Sequence, residues 1–212
     1  MKKWTYSLDA SDDDTSSQTP PQIFINQKGG GESGPGIRVV ENTVYFYSEV
    51  DDSSALLLNQ ILFELDCKLQ NAKSFFGPNF VPHIKLKICS QGGSLFSALA
   101  IIDTIRGLKA EVHTYIEGSA ASAATLISVS GKKRYIGKNS HMLIHQLGGG
   151  VSGTYAEIED NMENCKKFMK LIKDIYKQYT KISMKQIDEV LKHDLWFDAA
   201  MCLELGMVDE VL

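Results

Sequence analysis

The chain has 212 residues, 43% of them hydrophobic, which is enough for one well-packed domain and too few for two substantial ones. Its formal net charge of -4 supplies no overall attraction to nucleic acid or to an anionic membrane. No apolar run approaches the roughly 18 residues of a membrane-spanning helix, and the polar start Met1-Lys-Lys-Trp lacks the apolar stretch of a signal peptide, so a cytoplasmic protein with no nucleic-acid or membrane partner is expected.

Residues 1–36 run through Asp9-Ala-Ser-Asp-Asp-Asp, Ser16-Ser-Gln-Thr-Pro-Pro and Gly29-Gly-Gly-Glu-Ser-Gly-Pro-Gly. Such a composition buries little, and it reads as a flexible N-terminal arm in which only Ile23-Phe-Ile-Asn is apolar. From Ile37 onward, residues 37–212 read as the folded domain. Arg38-Val-Val and Val44-Tyr-Phe-Tyr are rich in β-branched and aromatic residues and predict strands. A helix follows, capped by Ser53 or Ser54, with Leu58, Ile61, Leu62, Leu65 and Leu69 on one face. Asn71 to Pro82 reads as a loop, and Ile84-Lys-Leu-Lys-Ile-Cys as an alternating strand.

Farther on, Leu95–Leu108 predicts a helix, Val112–Ile116 a strand and Ala120–Ser130 an alanine-rich helix. Arg134-Tyr-Ile and His141-Met-Leu-Ile-His read as short strands, so an α/β domain is expected. Thr154-Tyr-Ala-Glu157 is a capping box that opens a long helix to about Tyr179. Its acidic first half and basic second half suit the macrodipole. Ile158, Met162, Cys165, Met169, Ile172, Tyr176 and Tyr179 form a heptad seam, which points to self-association. Ser183-Met-Lys-Gln186 opens a short helix, Asp198 caps another over Ala199–Leu205, and Met207–Leu212 closes as a strand.

Chemistry could sit at two strand-to-helix turns, Ser90-Gln-Gly-Gly-Ser94 and Gly118-Ser-Ala-Ala-Ser122-Ala. Small residues there let backbone amides approach an anion or an oxyanion. The same residues also serve as ordinary helix caps. A nucleophilic serine needs a base and a group that orients it. Of the five histidines, His141 and His145 are read on one face of one strand, while His83, His113 and His193 sit elsewhere; periodicity does not choose among them. The cysteines Cys67, Cys89, Cys165 and Cys202 lack the close pairing of a zinc or redox motif and are read as buried thiols, and neither metal nor cofactor is expected.

At these turns the chain resembles the Clp-type serine peptidase family. Cys89-Ser-Gln-Gly-Gly-Ser is similar to the family's Asn-Ser-Pro-Gly-Gly-Ser, and Gly118-Ser-Ala-Ala-Ser to its Gly-Gln-Ala-Ala-Ser. Asn139-Ser-His-Met-Leu-Ile-His-Gln is similar to Asn-Ser-Arg-Val-Met-Ile-His-Gln, and His193-Asp-Leu-Trp-Phe to Arg-Asp-Arg-Phe. The resemblance spans about Arg38 to Leu212. It implies a crotonase-like fold with a protruding handle helix over about 154–179, and a triad of Ser122, His145 and Asp194. It also implies an oxyanion hole from the amides of Gly92, with Gly93 beside it, and of Ala123. A polypeptide substrate would lie extended against Ser94 and Leu95 on one side and Gln146, Leu147, Gly148 and Gly149 on the other. Two stacked heptameric rings and an AAA+ ATPase unfoldase are the implied partners. The chain departs from the family's pattern in its first 36 residues, at Gln91 in place of proline, and in the insertion from Asn71 to Pro82. The order Ser, His, Asp and the missing Gly-x-Ser-x-Gly elbow set aside an α/β-hydrolase. A catalytically silent ring subunit and an acyl-CoA enzyme of the crotonase type remain as alternatives.

Overall fold

Strict alternation in His83–Ser90 (β3) buries Ile84, Leu86, Ile88 and Ser90 on one side and leaves their neighbours half-buried on the other. β3 lies at the centre of a mixed sheet. The structure, a computed structural model, describes residues 36–212 apart from Pro78 and Val151, so the arm expected over residues 1–36, with its Ile23-Phe-Ile-Asn stretch, falls outside the described residues save for Gly36.

The sheet opens with a hairpin, β1 (Ile37–Val40) antiparallel to β2 (Thr43–Phe46), and continues with parallel pairings through β3, β4 (Glu111–Ala121), β5 (Lys133–Ile136) and β8 (Glu210–Val211). β4 has two successive neighbours on one edge. Thr114–Ile116 register with Arg134–Ile136 of β5, whereas Ser119–Ala121 register with His141–Leu143 (β6). Gly118 marks the switch: its φ is 75°, and its N–H donates to Ser140 Oγ at 2.9 Å. β6 in turn pairs antiparallel with β7 (Trp196–Phe197).

Helix α1 (Asp52–Phe76) packs on β3 and on α2 (Leu95–Gly107), and α3 (Ala123–Val129) packs on α2, β3 and β4. Every residue of α3 is buried, as a helix inside a core must be. The N-cap of α1 is Asp51, not Ser53 or Ser54; Ser54 is the third helical residue and completes a capping box with it. The helix also runs through the predicted loop as far as Phe76, because no breaker precedes Gly77. Its apolar stripe ends near Leu69, where the helix leaves the core, so periodicity had no signal to follow.

A second correction concerns Ala120–Ser130. Alanine favours a helix, yet Ala120 and Ala121 pair with Met142 and Leu143 and extend β4, and α3 starts only at Ala123. Tertiary pairing outweighs a propensity of a few tenths of a kcal/mol. β6 likewise stops at Leu143, which leaves His145 beyond the strand expected to carry it beside His141, and the last strand shrinks to Glu210–Val211. Cys202 is buried, as expected, but Cys67 is exposed on α1.

Helix α4 (Tyr155–Tyr179) begins at the predicted Thr154–Glu157 capping box. Its seam divides in two. Ile172 and Tyr176 are buried against the domain, while Ile158 and Met162 are exposed. α5 (Met184–Val190) follows its own predicted box at Ser183, and Asp198 caps α6 (Ala199–Glu204). Among the described residues no helix is long and apolar enough to cross a membrane.

Arg134 fastens β5 to the end of α4 and to the last strand. Its guanidinium reaches Asp209 at 2.5 Å and the carbonyls of Tyr179 and Gly206. Burial raises the affinity of the Asp209 carboxyl for a proton, but the hydrogen bonds and charge of Arg134 more than offset this, holding it below the ordinary aspartate value of 3.8. A depressed carboxylate pKa stabilises the fold above the unfolded value and loses that contribution as pH falls through the folded one. Asp209→Asn is therefore expected to be less stable than the wild type at neutral pH, with the gap closing below about pH 4. Urea denaturation at a series of pH values checks this, and a gap that does not change with pH would refute it.

Candidate active site

Ser122 sits where β4 meets α3, at φ 53° and ψ -126°. A residue with a β-carbon pays about 1–3 kcal/mol for such a backbone, so its surroundings must impose it. They do so from both sides. The Ser122 N–H donates to Leu143 O at 2.8 Å, and its carbonyl accepts from Thr125 N at 3.0 Å and from Thr125 Oγ1 at 2.6 Å. Ala123 is the first residue of α3, so its N–H has no acceptor within the helix. The half-buried Ser122 makes no side-chain capping bond to α3, which leaves its hydroxyl available.

The Ser90–Ser94 turn faces this corner. Gly92 has φ 92° and is buried against it: a β-carbon there would lie 2.6 Å from Ala121 O and 2.8 Å from Ser122 Cβ. Only glycine fits. Val50 holds the turn through two backbone bonds, its N–H donating to Gly92 O at 2.8 Å and its carbonyl accepting from Ser94 N at 2.7 Å. The Gly92 N–H donates to Ser90 Oγ at 3.1 Å, whereas the Gly93 N–H has no acceptor among the described residues. Ser94 caps α2, its Oγ accepting from Ser97 N.

His145 follows β6 directly, and the next residue anchors it: the Gln146 N–H donates to Leu191 O at 2.9 Å. Its Nδ1 lies 3.4 Å from Asp194 Oδ1. The Asp194 side chain is 79% exposed, so water competes for this pair. Ser122 Oγ makes no hydrogen bond to His145 among the described residues. His141 is exposed on β6, in register with Ser119.

A cleft of about 250 Å³ brings Ser122, Ala123 and His145 together with Gly93, Leu95, Gln146, Leu147 and Gly148. Ser94, Gly149, Gly92 and Asp194 lie outside its lining. Leu126, Ile172 and Tyr176 add apolar surface to it. Three contributors went unseen in the sequence. Val50 acts through its backbone, which spacing does not reveal. Thr125 and Tyr176 are paired at 2.6 Å across 51 residues of chain, and Tyr176 registered only as one apolar step of a seam. Burial pushes the Tyr176 phenol well above its ordinary value, so it is a neutral donor. Among the described residues no group of His, Cys, Asp and Glu is placed to hold a metal ion.

A sequence model of the family described as Clp protease matches residues 38–212. The chain is similar to the ATP-dependent Clp protease proteolytic subunit of Streptococcus mutans serotype c, with 32% identity over 198 residues that cover 90% of this chain and 95% of that protein. In structure it is similar to a ClpP1 mutant from Listeria monocytogenes, with a TM-score of 0.70 and 25% identity over 81% of this chain and 91% of that one. The mixed α/β architecture is thus the crotonase-like Clp protease fold expected from the motifs. The chain belongs to the Clp protease family.

Proposed function

We propose that this protein is a serine endopeptidase that cleaves extended polypeptide segments, with Ser122 as nucleophile, His145 as base and Asp194 as the group that orients the base. The observation that carries this reading is the strained turn at Ser122, which presents an uncapped hydroxyl in the same cleft as His145. His145 takes the Ser122 proton as Oγ attacks the peptide carbonyl, and Asp194 favours the tautomer with hydrogen on Nδ1. The acyl-enzyme forms as the amine leaves with a proton from His145, and water then releases the acid.

The oxyanion is held by backbone donors: Ala123 N–H at the start of α3 and Gly93 N–H on the facing turn. Gly92 supports them by close approach, its own N–H being shared with Ser90 Oγ. Each such donor contributes on the order of 3 kcal/mol to the transition state. The substrate lies between Gly93–Leu95 and Gln146–Gly149. The N–H groups of Gln146 and Leu147 are already directed to Leu191 O and Met169 Sδ, so carbonyls and the glycine amides remain to pair with it. Backbone pairing reads few side chains, and specificity is broad.

The relative's name marks it as the proteolytic subunit of an ATP-dependent protease. By the same reading this chain works as a homo-oligomer of stacked rings, heptameric as in the family, with an AAA+ ATPase delivering unfolded protein to the chamber. The exposed seam at Ile158 and Met162 is the surface for contact between copies. A second reading, a catalytically silent ring subunit, draws on the missing Ser122–His145 hydrogen bond and on the 3.4 Å His145–Asp194 separation.

Intact mass after treatment with a fluorophosphonate separates the two. The expected result is one adduct per chain, absent in Ser122→Ala, with peptidase activity reduced by at least about 10³-fold in that variant. An assembled protein that takes no adduct would instead be silent. Asp194→Asn is expected to lower kcat by on the order of 10²–10⁴, nearer the lower figure because Asp194 is exposed. Gly92→Ala would push the Ser122–Ala123 backbone aside and is expected to slow adduct formation by on the order of 10²-fold, read as the second-order labelling rate.

A further inference from the structure

Tyr176 is fully buried, and its hydroxyl lies 2.6 Å from Thr125 Oγ1. Thr125 Oγ1 lies 2.6 Å from Ser122 O. These two contacts fix the direction of both bonds. A carbonyl only accepts and threonine has one hydroxyl proton, so Thr125 donates to Ser122 O and Tyr176 donates to Thr125. The Ser122 carbonyl already accepts the Thr125 N–H, so the hydroxyl chain is an additional restraint on it rather than the satisfaction of an orphan group.

Because the peptide unit is planar and trans, fixing the Ser122 carbonyl also fixes the Ala123 N–H, which points the opposite way. The Ala123 nitrogen lies beside Gly92: a β-carbon on Gly92 would sit 3.0 Å from it, and glycine leaves that approach open. We propose that Thr125 and Tyr176 are positioning residues, a hydroxyl chain from α4 through α3 that locks the Ser122–Ala123 peptide plane and so holds the Ala123 N–H on the oxyanion. This rests on the serine-peptidase reading. Two features support it. The plane it restrains belongs to a residue held at φ 53°, a backbone inclined to relax, and the chain is buried, where a hydroxyl bond is not exchanged for water.

The test uses the full chain, with active sites counted by fluorophosphonate titration and kcat and KM measured per titrated site on a fluorogenic peptide. Affinity for a peptide boronate, which forms a tetrahedral adduct on serine, is measured in parallel. Tyr176→Phe keeps the ring and removes the donor. It is expected to lower kcat by about 5-fold, the worth of one net hydrogen bond, with KM within about twofold and boronate affinity falling in step with kcat. Thr125→Val is expected to lose about 10-fold, Thr125→Ser to stay near the wild type, and Tyr176→Phe/Thr125→Val to be no worse than Thr125→Val alone.

The proposal is overturned if kcat per titrated site and boronate affinity are unchanged in Tyr176→Phe and Thr125→Val. It is also overturned if the loss appears only in KM or in the number of titratable sites, which is what a purely structural role predicts. Should Thr125→Val fail to fold, Tyr176→Phe decides alone. A wild type with no titratable serine would instead overturn the peptidase reading itself, and that outcome is visible before any variant is compared.

Discussion

A residue with a β-carbon held at φ 53° is the constraint from which the rest of this structure can be understood. Left to itself, the Ser122 backbone would relax into the helix that follows or the strand that precedes it. It is prevented by bonds on both flanks: Leu143 O takes its N–H, and the first turn of α3 takes its carbonyl. Both flanks depend on longer-range order. β6 reaches Ser122 only because β4 exchanges β5 for β6 at Gly118, and α3 keeps its place because every one of its residues is buried. The Ser122 turn is therefore a product of sheet topology and core packing together.

The facing wall follows the same logic. Gly92 approaches so closely that any β-carbon would collide with the Ser122 turn, and Val50 draws the glycine turn into that approach with two backbone bonds. The two small-residue turns belong to successive strand-to-helix corners of one mixed sheet, after the parallel neighbours β3 and β4. Placing two such corners side by side presses the Gly92 turn against the Ser122–Ala123 backbone. The pairing of His145 with Asp194 is looser. Asp194 is exposed and sits 3.4 Å from His145, so the geometry is firmest where the backbone makes it and least firm where two side chains meet near the surface.

Helix α4 carries a division of labour along its length. Near its C-terminal end Ile172, Ile175 and Tyr176 are core residues, and Tyr176 links the helix to the Ser122 turn through Thr125. Toward its start, Ile158 and Met162 keep the same heptad spacing but are exposed among the described residues. One continuous seam thus serves the domain's interior at one end and lies exposed among the described residues at the other. Arg134 secures the C-terminal end of the helix, holding the carbonyl of Tyr179 together with that of Gly206 and the carboxylate of Asp209.

Much of this was legible in the residues themselves. The capping boxes at Thr154 and Ser183 and the alternation of β3 appeared where spacing placed them, because caps and pleats are local and depend on neighbours a few residues away. The candidate triad was legible only through likeness to a family, since periodicity did not separate His145 from the other histidines. The errors fall where distant segments meet. Ala120 and Ala121 read as helix until β6 claimed them, His145 was put on a strand that stops two residues earlier, and α1 ran on past the end of its apolar stripe. By itself, the sequence determined most of the helices and strands, where most helices begin, and which turns could bring amides to an anion. The tertiary structure alone decided that Ser122 would be held at a positive φ, that Gly92 would press against it, and that a phenol on α4 would reach its carbonyl through Thr125. Those facts rest on contacts between residues dozens of positions apart, and no local pattern records a contact whose partners the chain has yet to bring together.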